Sequence, residues 1–129
     1  MTERDLSRYA RQTILPQIGR EGQERLLASR AVVAGCGALG SMAANLLARA
    51  GVGHLRLIDR DFVELDNLQR QVLYDERDVE EGLPKAAVAQ RRLSRVNSGI
   101  EVEGLVSDLN ASNVCSLLGE ADVVVDAVD

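Results

Sequence analysis

Lysine is nearly absent from this chain of 129 residues. It carries fifteen Lys and Arg residues, and fourteen of them are arginine, the exception being Lys85. A lone ammonium in an arginine-rich chain marks a place that needs a compact point charge rather than a planar fork. Long apolar runs are missing as well: no stretch approaches the roughly 18–20 residues of a membrane span. The N-terminus MTERDLSRYARQ has no apolar region of the kind that opens a secretory signal. These absences predict a cytoplasmic protein with no membrane partner. Cysteine is scarce, and Cys36 and Cys115 form no CxxC or Cys/His cluster, which argues against a disulfide framework or a zinc site within these residues. Both are expected to be small buried hydrophobes. The one histidine, His54, opens a predicted strand and reads as structural. No repeat, low-complexity tract or linker divides the sequence, so residues 1–129 read as one domain.

No domain-wide basic footprint exists either. Residues 1–60 hold nine arginines against five acids, net +4, whereas residues 61–129 hold six basic against fifteen acidic residues, net −9, for a total of −5. Nucleic acid is therefore excluded as the expected partner.

What is present is an alternation of strand and helix patterns. Helical character runs from Arg8 to Ala28, broken by Gly19 and Gly22, with a short second helix over 21–29. Ala31–Gly35 is a continuous apolar run, as in a strand buried on both faces. Ala38–Ala50 places Leu39, Met42, Ala43, Leu46, Leu47 and Ala50 at helical spacing and stops at Gly51. HLRLID at 54–59 is the second strand. Residues 60–83 are polar and without a clean period. A helix follows over 84–97, with Pro84 suited to its first position. Residues 100–109 alternate like a strand, 111–118 suit a short helix, and ADVVVDAVD at 121–129 opens with another buried strand. The pattern predicts an α/β fold: a Rossmann-like parallel sheet with flanking helices and an N-terminal helical segment. The chain stops where open sheets of this kind place their ligands, so the domain is expected to continue beyond residue 129.

The segment VVAGCGALGS places Gly35, Gly37 and Gly40 in GxGxxG spacing between a strand and a helix. That context suits a tight turn, a close backbone approach to phosphate, and helix amides facing an anion. Asp59 ends the second strand nineteen residues after Gly40, near the offset at which an acid takes a ribose hydroxyl. These features alone fit a redox dinucleotide as well as ATP. Asn67, Arg70 and Lys85 favour a ligand with a triphosphate, because forked and point-like cations both suit phosphate oxygens.

RYARQ at 8–12, GCGALG at 35–40, AGVGHLRLIDRDFVELDNLQRQ at 50–71, GLPKA at 82–86 and VVDAVD at 124–129 together resemble the ThiF/HesA/MoeB enzymes, relatives of the ubiquitin-activating enzymes. The resemblance implies ATP-dependent adenylation of the C-terminal glycine carboxylate of a ubiquitin-like sulfur-carrier protein ending in Gly-Gly, in thiamine, molybdopterin or related sulfur-transfer biosynthesis. It implies that the glycine loop, with Ala38 where many members have glycine, approaches the nucleotide. Asp59 would hold the ribose, Asn67, Arg70 and Lys85 the phosphates, and Asp129 the Mg²⁺ ion. Asp61 would stand behind these groups, and Gln71 would shape the loop. Arg11 resembles the arginine that reaches across a homodimer to the neighbour's ATP.

The sequence departs from that pattern in three ways. Two additional residues lie between Arg70 and Lys85, and Ala38 narrows the loop. The CxxC zinc ligands of many members and any thioester-forming cysteine would lie beyond residue 129. Two alternatives therefore stand beside the adenylyltransferase: a non-catalytic dimerising scaffold of the same fold, and part of an NAD-dependent oxidoreductase.

Overall fold

The computed structural model describes all residues, 1–129. Three short helices, α1 (Glu3–Arg8), α2 (Ala10–Thr13) and α3 (Gly19–Ala28), lead into strand β1 (Arg30–Ala34). Helix α4 (Ala38–Ala50) and strand β2 (His54–Asp59) follow. A loop containing a 3₁₀ turn (Leu65–Asn67) and helix α5 (Glu76–Glu80) reaches helix α6 (Lys85–Val96). Strand β3 (Glu101–Val106), helix α7 (Val114–Leu118) and strand β4 (Val123–Asp126) complete the chain.

The four strands form one sheet in the order β3-β2-β1-β4, every neighbouring pair parallel. β1 lies inside, buried at four of its five positions, which is what its unbroken apolar run requires. In the register, Ala34 stands opposite both Ile58 and Asp126. The C-terminal ends of the strands are thereby level, and their loops gather along one edge.

The core lies between the sheet and the helices that pack on it. Val33, Leu55 and Leu57 from the strands meet Ala44 and Ala48 of α4 and Val88, Ala89 and Leu93 of α6. Alanine at the helix contacts lets the helix backbones approach the sheet closely. α4 ends as its sequence predicts: Gly51 takes the left-handed conformation at φ 89°.

Several expectations need correction. Gly22 does not break the N-terminal helix; α3 runs through it and begins at Gly19. The polar segment contains a 3₁₀ turn and α5, each closed by a reciprocal capping box too short to produce a period. Pro84 is the N-cap of α6 rather than its first residue. β3 stops at Val106, and α7 begins only at Val114. Within residues 1–129, β4 pairs only with β1, and Val123 and Val124 are exposed. Cys115 is exposed rather than buried, since α7 contributes no residue to the core.

Candidate functional site

The loops at the C-terminal ends of β1 and β2 open into a cleft of about 670 Å³. One wall is the glycine loop. Gly35 is at φ 94°, and a Cβ there would lie 2.6 Å from the Ala127 carbonyl oxygen; a Cβ on Gly40 would collide with the Gly35 carbonyl. Close packing of loop, helix and β4 therefore needs both glycines. Gly37 caps α4 without any side-chain hydrogen bond, so the amides of the first helical turn remain free for an anion.

Asp59 ties this wall to the next. One carboxylate oxygen accepts from the Cys36 amide at 2.7 Å, and the other accepts from the Asp61 amide at 2.7 Å. Tyr74, itself buried, donates its hydroxyl to the Cys36 carbonyl at 2.6 Å. Cys36 is thus held at both its N–H and its C=O, which fixes the loop's orientation. Burial, with Asp59 adding to it and Lys85 opposing it, pushes the Cys36 thiol up to about 12. A thiol so protonated is no nucleophile at neutral pH. Burial also raises the Tyr74 phenol, keeping it a donor.

The third wall carries the cations. Lys85 opens α6, and its backbone amide donates to the Asp61 carbonyl at 2.9 Å. Its side chain lines the cleft and is only 6 % exposed, yet none of the protein's ion pairs includes it. A largely buried lysine with no carboxylate partner keeps its charge available for an anion in the cleft. Arg70 donates one N–H to the Asp66 carbonyl at 2.6 Å and is otherwise exposed toward the cleft. Asn67 is partly committed already: its Oδ1 accepts the Glu64 amide at 2.8 Å, leaving Nδ2 with a long 3.4 Å contact to Asp66. Gln71 is buried, and its Oε1 has no partner.

Gly35, Gly37, Ala38, Asp59, Asp61, Asn67, Arg70, Gln71, Lys85 and Asp129 all line this cleft, while Gly40 packs behind the loop. The cleft also includes residues that sequence reasoning missed. Arg60 faces Asp108 at 3.5 Å across the ends of β2 and β3, and Ser107 and Leu109 complete that rim. Their position just after a parallel strand was the available signal. Tyr74 carried none.

The chain matches the ThiF family over residues 9–129. It belongs to that family. It is 51 % identical over 122 residues to the sulfur carrier protein ThiS adenylyltransferase of Bacillus subtilis, covering 95 % of this chain and 36 % of that protein. It is 48 % identical over 128 residues to the sulfur carrier protein adenylyltransferase of Thermus thermophilus, covering 99 % and 46 %. Among solved structures, the ATP complex of Escherichia coli tRNA N6-threonylcarbamoyladenosine dehydratase superposes with a TM-score of 0.92 at 29 % identity, covering 99 % of this chain and 51 % of that one. The chain thus spans between about a third and a half of the relatives it matches.

One candidate residue of this ThiF-family chain lies away from the cleft. Arg11 sits on α2, whose neighbours Tyr9 and Gln12 are fastened at the last turn of α4. The glycine loop is at the other end of that helix, thirteen residues away, or about 18–20 Å at 1.5 Å per residue. An arginine side chain cannot bridge that length. Arg11 is exposed and has no ion-pair partner.

Proposed function

We propose that residues 1–129 are the ATP-binding part of an adenylation domain in a cytoplasmic homodimeric enzyme, which activates the C-terminal glycine carboxylate of a ubiquitin-like sulfur carrier ending in Gly-Gly. The observation that carries this reading is the buried, unpaired Lys85 in the same cleft as the glycine loop, Asp59 and Arg70. A redox dinucleotide would leave the cationic wall unexplained. The relatives at 51 % and 48 % identity are named for sulfur-carrier adenylation, which favours a carrier protein as the acceptor.

In this reading a carboxylate oxygen of the carrier attacks the α-phosphorus of ATP, and the bond from that phosphorus to the β-bridging oxygen breaks. An acyl adenylate and pyrophosphate result. No general base is needed, because the attacking carboxylate is already ionised at neutral pH. The work left to the protein is positioning and charge stabilisation. Asp59 takes the ribose while holding the loop, the first-turn amides of α4 and the Arg70 guanidinium take phosphate oxygens, and Lys85 receives the charge that develops on the leaving pyrophosphate. Asn67 contributes through Nδ2 and by fixing the turn that presents Arg70.

The side chains fit a magnesium ion bound together with the nucleotide rather than by protein alone. No group of three or more metal-ligating side chains is present, whereas Mg²⁺ commonly uses one or two carboxylates with phosphates and water. Asp129 would supply that carboxylate; Asp61 also lines the cleft. When bound, the ion neutralises phosphate charge.

Arg11 completes a neighbour's site, since its own is a helix length away. The test is ATP–pyrophosphate exchange with a Gly-Gly carrier in the complete polypeptide containing these residues. Arg11→Ala and Asp59→Ala chains should each be inactive alone and recover one working site per mixed dimer. A mixture as inactive as its parents would refute the shared site, and robust exchange by Asp59→Ala alone would refute the cleft.

A further inference from the structure

The C-terminal end of α4 is held by far more than a helix end requires. Gly51 already caps it, its amide donating to the Ala48 carbonyl at 3.3 Å and that of Val52 to the Leu47 carbonyl at 3.1 Å. Yet Asn97 Nδ2 also donates to the Ala48 carbonyl at 2.9 Å, and Gln12 Nε2 and Gln23 Nε2 both donate to the Ala50 carbonyl, at 2.7 and 3.0 Å. Asn97 Nδ2 further donates to the Tyr9 hydroxyl at 2.8 Å, and Gln12 donates to Gln23 Oε1. Tyr9, Gln23 and Asn97 are essentially fully buried. Gly51 makes the space: a Cβ there would lie 2.6 Å from both the Tyr9 ring and Gln23 Nε2.

A buried polar cluster is a poor way to gain stability, because each group must be desolvated before it is paired. What directional bonds add is a fixed position. Here the fixed element is α2. Tyr9 and Gln12 stand three residues apart, on one face of the helical turn, and both point inward. Arg11 is turned away from that face and lies exposed.

We propose that Tyr9, Gln12, Gln23 and Asn97 are positioning residues, a latch that fastens α2 to the end of α4 and aims Arg11 outward at the cleft of a second copy of this chain. This rests on the reading that Arg11 serves the neighbour. Its distinguishing consequence is that the latch acts on the partner's reaction and not on its own chain's.

Mixed dimers of the complete polypeptide separate the two. One chain carries Asp59→Ala, so the only working cleft belongs to the other chain and is served by Arg11 of the silenced chain. Tyr9→Phe, which keeps the ring and removes only the hydroxyl, is placed on either chain in turn, and Gln12→Ala serves as a second variant. On the silenced chain, either substitution should lower the exchange kcat about tenfold with KM for ATP changed less than twofold. On the chain with the working cleft, kcat should be unchanged. Equal losses in both arrangements, or a loss only on the chain with the working cleft, would overturn the latch. Arg11→Ala is run in the same two arrangements: if it too acts from the chain with the working cleft, the shared-site reading has failed, and the latch with it.

Discussion

Lys85→Met should make the free protein more stable and the nucleotide complex much weaker. Lys85 is 6 % exposed as a residue and forms no ion pair, so in the absence of ligand its charge has no carboxylate beside it. Replacing buried ionic groups with apolar side chains of similar volume is often neutral or stabilising by about 1–4 kcal/mol. The residual exposure of Lys85 lets some water reach Nζ, which places it at the lower end, about 1–2 kcal/mol. For a chain of 129 residues that raises Tm by roughly 3–10 °C. The same change removes a charge-assisted bond to phosphate worth about 1.5–3 kcal/mol, weakening ATP roughly tenfold to a hundredfold. At ATP equal to a hundred times the wild-type Kd, ligand stabilises the native state by about 2.7 kcal/mol; a hundredfold weaker variant keeps only about 0.4 kcal/mol. The assay is a pair of thermal melts with and without ATP and magnesium. A variant that melts below wild type without nucleotide, or keeps the full ATP-induced rise, would show that Lys85 is satisfied within the protein and that the argument from its unpaired charge is wrong.

The two cysteines should differ sharply toward a thiol reagent. At pH 8 the Cys36 thiol, pushed up to about 12, is ionised to about one part in ten thousand, and it is also inaccessible. Only the exposed Cys115 should be labelled in the native protein, as peptide mapping would report, and early labelling of Cys36 would refute the clamped loop. Because folding raises that thiol's pKa above its ordinary 9.0, its contribution to stability is complete below about pH 9 and is lost as pH rises toward 12. Melting temperature should fall over that window, and less steeply in Cys36→Ala. Tyr74→Phe removes the donor to the Cys36 carbonyl and leaves a buried acceptor unpaired, at a cost of about 1–3 kcal/mol. Its ATP affinity should drop severalfold by calorimetric titration, and wild-type affinity would mean that Asp59 alone holds the loop. Lys85→Arg retains charge but replaces a point with a fork; most pyrophosphate exchange should be lost with little change in melting, and full exchange would make Lys85 an ordinary helix-start residue.

The parts of the fold that were legible in the sequence are those encoded by near neighbours. α4 has the bounds its spacing and Gly51 predict, and β2 runs over 54–59 as its pattern requires. The glycine loop joins β1 to α4 because three glycines within six residues permit no other local geometry so readily. Lys85 was visible through composition alone, since a chain that uses arginine everywhere else needs a reason for one lysine. Asp59 was visible by its offset, though its structural task was not. The spacing points to a ribose; the coordinates show a carboxylate that also joins two loops through the Cys36 and Asp61 amides.

What remained hidden depends on contacts between distant segments or on position in the sheet. Val123 and Val124 belong to a run that reads as interior; within residues 1–129 their strand pairs only with β1. Tyr74 reaches Cys36 across 38 residues of sequence, and Asn97 reaches Tyr9 across 88. Asparagine and glutamine are mostly surface residues and tyrosine is intermediate, so their identity alone does not mark a buried clamp. The two ends of α4 illustrate the difference. Its first turn follows a glycine-rich loop whose spacing can be read directly from the sequence. Its last turn is built from ordinary amides whose meaning comes only from meeting at the Ala48 and Ala50 carbonyls. The same helix therefore joins the cleft to α2, whose placement is set by packing. If Arg11 serves a second copy as proposed, a substitution at the second end that leaves every cleft residue intact should still lower the exchange rate.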